Sequence, residues 1–131
     1  MAKKKILIVD DEIDFTELMK TRLEANDFEV VVANNGESAL EMVKTARPDA
    51  VLLDIMMPGI DGLTVLKRIR ATDERLPVFM ITAFSNEEKI KLAGKLNASG
   101  FIIKARHDIS EEIRNITDAI DVANKYKEKR G

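Results

Sequence analysis

The chain has no cysteine and a single histidine, His107. The first lack excludes disulfides, thiolate catalysis and cysteine-based metal sites. The second excludes a multi-histidine metal centre. Neither charge sign dominates: Lys+Arg 21 against Asp+Glu 23 leaves a formal net charge of -2. That balance argues against direct nucleic-acid binding, which draws on a basic excess. Long apolar runs are missing too. After the basic start MAKKK only four apolar residues precede Asp10, too few for a signal-peptide core or a membrane span. The expectation is a cytoplasmic protein without membrane insertion. No glycine-rich turn follows that first run, so a dinucleotide-binding domain fails. No linker, repeat or low-complexity segment divides the 131 residues, a length that suits one domain with a real core.

What is present is a regular alternation. Apolar blocks stand at 6–9, 28–33, 50–53, 78–82 and 101–103. They are short, and the first four contain β-branched residues, as buried strands do. Between them lie residues at helical spacing: Phe15, Leu18, Met19 and Leu23; Ala39, Leu40 and Val43; Leu63, Leu66 and Ile69; Ile90, Ala93 and Leu96. The last set, Ile109, Ile113, Ile116, Ile120 and Ala123, alternates steps of four and three. Ser85–Glu88 and Asp108–Glu111 fit capping boxes, and Asp61-Gly62 fits a cap before the third helix. Five βα units predict a parallel sheet covered by helices on both faces through right-handed crossovers. Residues 127–131 read as a tail fraying from the last helix.

In an open parallel sheet the site lies beyond the carboxyl ends of the strands. The first strand ends ILIVDDEIDF, running into Asp10, Asp11 and Glu12. Carboxylates this close raise each other's pKa, and a positive group among them relieves the repulsion. The third strand delivers Asp54, the fourth Thr82 and the fifth Lys104. The carboxylates of Asp10, Asp11 and Asp54, with a hydroxyl and an ammonium at the same rim, suit Mg²⁺, which takes a few carboxylates and phosphate oxygens. A carboxylate can serve as nucleophile and form an acyl phosphate. Phosphoryl transfer then needs mainly positioning and positive charge.

The pieces IVDDE at 8–12, LLDIMMPGIDGL at 52–63, ITA at 81–83 and the lysine at 104 together resemble the response-regulator receiver domain of two-component signalling. The resemblance runs from about Lys5 to about Tyr126, within a single domain over 1–131. It implies a flavodoxin-like α/β fold with strand order 2-1-3-4-5. It implies that Asp54 is the phosphoacceptor. Asp10, Asp11, Asp54 and the backbone carbonyl of Met56 would hold Mg²⁺, with Asp11 and Asp54 as direct ligands. Thr82 and Lys104 would contact the phosphoryl group, and Phe101 would be the switch aromatic that turns inward. Pro58 and Gly59 match the turn after the acceptor. The implied donors are a sensor histidine kinase or a histidine phosphotransfer protein. The implied output is a contact between a downstream protein and the face of helix four, strand five and helix five. The protein would catalyse only its own phosphorylation and dephosphorylation. Met56 and Phe84, two residues past Asp54 and Thr82, occupy positions that tune dephosphorylation, and their bulk predicts a long-lived phosphoryl group.

This sequence departs from the pattern after the lysine, where Ala105 replaces the usual proline. A trans Lys104-Ala105 bond and a more mobile loop are the expectation there. His107 reads as a loop residue near a helix start. Gly94, Asn97 and Ser99 weaken the fourth helix. Met56 and Met57 read as exposed loop or rim residues. Two other functions fit the residues less well. A receiver-like module that binds partners without phosphorylation is opposed by the intact acidic, hydroxyl and lysine set. An aspartyl-phosphate hydrolase of the haloacid dehalogenase type needs an aspartate where Met56 stands.

Overall fold

Each apolar block becomes a strand. The computed structural model describes residues 3–83, 87–104 and 108–130, the last four by backbone alone. Strands β1 (Lys4–Val9), β2 (Phe28–Ala33), β3 (Ala50–Asp54), β4 (Val78–Thr82) and β5 (Gly100–Ile103) alternate with helices. These are α1 (Ile13–Glu24), α2 (Gly36–Thr45), α3 (Gly62–Thr72), α4 (Glu87–Lys95) and α5 (Ser110–Arg130). All four strand pairings are parallel, in the order β2-β1-β3-β4-β5. Val9 pairs with both Ala33 and Leu53, Asp54 with Ile81, and Thr82 with Ile103. This register lines up the carboxyl ends along one edge.

Two cores lie on the two sheet faces, as the period of two in strands requires. Leu7, Val9, Val51, Leu53 and Met80 pack with Val65, Leu66 and Ile69 of α3 and Ala93 of α4. Ile6, Ile8, Leu52, Phe79, Ile81 and Ile102 pack with Met19 and Leu23 of α1 and Ile116 and Ile120 of α5. Fully burying one such side chain stabilises by about 1.5–3 kcal/mol. The alternation continues past β3. Ile55 and Met57 join Val51 and Leu53 in the first core, while Met56 between them is 63% exposed. Met57 is therefore not the exposed loop residue expected, and the odd-numbered parity of β3 explains why.

Helix ends follow from side-chain chemistry. Asp61 caps α3 as expected, its Oδ1 accepting from the Thr64 N–H at 2.8 Å. Asn35 caps α2 in the same way through Ser38. Asp108 does not form the expected capping box. Its Oδ1 accepts from both the N–H and the hydroxyl of Ser110, the first residue of α5, and these bonds hold its carboxyl below the usual range. The expected box at Ser85–Glu88 begins outside the described residues. Helix α4 ends where Asn97 takes φ +65°. Ala98 N–H donates to the Ala93 carbonyl and Asn97 N–H to that of Gly94, the paired bonds of a Schellman stop. Helix α5 continues to Arg130, through the segment expected to fray. Arg75 stacks 3.2 Å from the centre of the Tyr126 ring. No helix among the described residues is long and apolar enough to cross a membrane.

Candidate phosphoacceptor site

The ladder runs one residue past three strands, and those extra residues build the site. Asp10 N–H donates to the Ala33 carbonyl, Ile55 N–H to Ile81, and Lys104 N–H to Thr82. The backbone thereby draws Asp10 to 0% and Asp54 to 4% exposure, with Thr82 also buried. Asp10 and Asp54 use the same local device. Oδ1 of each accepts the N–H two residues on, from Glu12 at 2.9 Å and from Met56 at 3.1 Å. Such turns are natural to aspartate, and here they fix which carboxylate oxygen faces outward.

The oxygens left over meet Lys104. Its Nζ lies 2.8 Å from Asp10 Oδ2, 2.6 Å from Glu12 Oε1 and 3.3 Å from Asp54 Oδ2. The Phe15 ring lies 5.0 Å away and adds a cation–π contact. The ammonium is thus the positive group that the acidic crowding demands. Burial opposes its charge, but the close contact with Asp10, the hydrogen bond it donates to Glu12 and the charges of Asp54 and Asp10 hold its pKa above the ordinary lysine range. One ammonium does not satisfy these acids. Burial, then the charge of Asp10, lifts Asp54 from 3.8 to about 6, against the Met56 N–H and Lys104. One base shared among competing acids can be raised while an acid beside it is also raised.

A close contact fixes the floor of the site. A Cβ on Gly62 would lie 2.0 Å from the Asp54 carbonyl oxygen. Only glycine lets α3 begin this near the end of β3. Gly59, with φ +79°, supplies the positive-φ turn after Pro58.

Carboxylate oxygens of Asp10, Asp11 and Asp54 all lie within 4.8 Å of one another. Asp10 Oδ2, although paired in charge with Lys104, has no well-angled hydrogen bond and is buried. A buried hard oxygen left short of donors, beside two further carboxylates, fits a hard divalent cation such as Mg²⁺. Asp11 is exposed and closes the set from the solvent side.

The structure thus brings together Asp10, Asp11, Asp54 and Lys104 as the sequence reading expects, with Thr82 at the adjacent strand end. Met56 stands at the rim, its Sδ 2.7 Å from the Lys89 ammonium of α4. Phe101 is half-buried against the first core. Phe84 and the Lys104-Ala105 bond, with Arg106 and His107, lie outside the described residues. Lys104 itself contacts three acids. Glu12 and Phe15 were not read from the sequence as its partners; the acidic run DDE carried the only hint of the first.

Carboxylates and an ammonium gathered at the carboxyl edge of a parallel α/β sheet make a site whose chemistry suits a hard cation and an anionic oxygen. Comparison with known proteins makes this specific. The pattern of the response regulator receiver domain matches residues 6–118, and the chain belongs to that family. It is 33% identical over 92% of its length to the alkaline phosphatase synthesis transcriptional regulatory protein PhoP of Bacillus subtilis (strain 168). It is 36% identical over 98% of its length to the regulatory protein AtoC of Escherichia coli (strain K12). The chain spans 51% of the first relative and 28% of the second. The BeF3-activated N-terminal receiver domain of Klebsiella pneumoniae RstA superposes with a TM-score of 0.83 at 29% identity, covering 89% of this chain and 98% of that one. Receiver domains are signalling domains of two-component systems. As a family they bind Mg²⁺ at an acidic pocket and interact with histidine kinases and downstream targets.

Proposed function

We propose that this chain accepts a phosphoryl group from a phosphohistidine onto Asp54. The observation that carries the reading is Asp54 itself: a buried strand-end carboxylate, one oxygen fixed by Met56 N–H and the other facing the Lys104 ammonium. An Asp54 carboxylate oxygen attacks phosphorus, the P–N bond breaks, and its electron pair stays on the donor imidazole. The product is an acyl phosphate. Asp10, Asp11, Asp54 and the Met56 carbonyl would hold Mg²⁺, which supplies charge neutralisation at the phosphoryl oxygens. Lys104 donates to one of those oxygens, and Thr82 offers a hydroxyl to another. The chain's own catalysis is limited to gaining and losing this group.

Phosphorylation then draws Thr82 toward the phosphoryl group, and Phe101 follows into the core it already borders. The altered face is that of α4, β5 and α5, where Leu92 and Val122 are exposed. A downstream protein reads this face. The donor is a sensor histidine kinase or a phosphotransfer protein, in the cytoplasm. Residues 5–126 act as one receiver domain. Met56, at the rim, slows attack by water on the acyl phosphate, as does Phe84.

The test is intact mass after incubation with acetyl phosphate and Mg²⁺, for wild type and Asp54→Asn. A gain of one phosphoryl group in wild type alone supports the reading. No gain in wild type overturns it and favours a module that binds partners without phosphorylation.

A further inference from the structure

Glu12 spans 92 residues of sequence to reach Lys104, and its 2.6 Å contact is the shortest the ammonium makes. The residue stands at the N-cap of α1 yet makes no side-chain cap hydrogen bond. Glutamate is not among the residues favoured at that position, and here its carboxylate points away from the helix to the lysine. Lys104 has three N–H donors, no more, and three acids surround it.

We infer that Glu12 is a positioning residue: a latch that parks the Lys104 ammonium at the rim and gives it up when Asp54 gains a phosphoryl group. The inference deepens the function proposed above and rests on it. The geometry says which acid lets go. Asp10 is fully buried, so water does not take the ammonium's place beside it. Asp54 is the residue to be phosphorylated, so its contact moves with the new group. Glu12 has a side chain 62% exposed, and water replaces the bond it loses. Parking places the ammonium 3.3 Å from Asp54 Oδ2, farther than from either other acid. The latch therefore holds the lysine off the acceptor in the resting state and competes with the incoming phosphoryl oxygens for one donor.

Two variants separate this role from plain repulsion of an anionic donor. Glu12→Gln removes both charge and ion pair. Glu12→Asp keeps the charge but is one methylene shorter and falls short of Lys104. Phosphorylation by acetyl phosphate with Mg²⁺ is followed by intact mass. Both variants are expected to gain the phosphoryl group faster than wild type, by about two- to fivefold, the scale of one partly exposed ion pair. Glu12→Asp matching wild type while Glu12→Gln runs faster would reduce the effect to repulsion and overturn the latch, as would no acceleration in either. The Lys104 ammonium signal in cold ¹⁵N spectra is a readout independent of phosphorylation. It should shift and broaden in both variants; an unchanged signal also overturns the latch. Should wild type take up no phosphoryl group at all, the proposed function fails. The ammonium spectra then decide whether Glu12 still holds the lysine.

Discussion

Asp54 carries a cost that the protein retains for use. Its carboxyl is raised from 3.8 to about 6, so the folded state holds the proton more tightly than the unfolded chain does. Stability therefore falls as pH rises through the interval between those values, and the penalty persists above it. Two pKa units correspond to at most about 3 kcal/mol. In chelator at pH 7.5, Asp54→Asn is expected to be more stable than wild type by ~1–3 kcal/mol. At pH 4 the gain should vanish. Urea titrations at both values check this, and an equal gain at both would show that the cost of the buried Asp54 charge is not the cause. Gly62 belongs to the same scale. With no room for a Cβ above the Asp54 carbonyl, Gly62→Ala must push α3 away. It should cost about 1–3 kcal/mol and slow phosphorylation together; a variant as stable and as quickly phosphorylated as wild type would contradict the contact. At this scale the sequence was legible where chemistry is local. Asp10, Asp54 and Lys104 stand at strand ends, and a strand end can be read from an apolar run. The Glu12–Lys104 pair was not legible, because only the folded register brings residues 92 apart in sequence to 2.6 Å.

At the scale of elements, the weak fourth helix is explained by how it stops. Asn97 does not weaken the helix from within, because it lies past Lys95; it is the left-handed residue that ends it. Asparagine tolerates that conformation better than most residues, and a β-branched one does not. Asn97→Val is expected to cost ~1–2 kcal/mol, whereas Asn97→Gly should be neutral or slightly stabilising. Chemical denaturation of both variants decides it, and a Val variant as stable as wild type would mean the stop is not held by this residue. Met57 marks a point where reading by element went wrong. The alternation of β3 continues past Asp54 and places Ile55 and Met57 in the core. Period two runs through these residues, but Pro58 and Gly59 directly after them carry the signal of a turn, and the two signals overlap.

For the whole molecule, periodicity yields five βα units but not the order in which strands pair. That order came through the family resemblance, because buried parallel strands are uniform apolar runs with little in them to name a neighbour. The order matters since it seats β3 between β1 and β4, so Asp54 meets Asp10 on one side and Thr82 on the other. The site is thereby a property of the sheet as a whole, and a cation bound there should tighten the whole fold. Adding Mg²⁺ is expected to raise the unfolding free energy by RT ln(1 + [L]/Kd), about 2.7 kcal/mol at a hundredfold excess over Kd. Its ligands must be deprotonated, and Asp54 titrates at about 6. The stabilisation should be full at pH 7.5 and shrink as pH falls below 6, the apparent affinity dropping about tenfold per unit as one proton competes. Thermal unfolding with Mg²⁺ or chelator at pH 7.5, 6 and 5 measures this, with Asp11→Asn as the control that should lose the effect throughout. Stabilisation that ignores pH would assign the ion to surface carboxylates elsewhere, since a site that includes Asp54 cannot escape its proton.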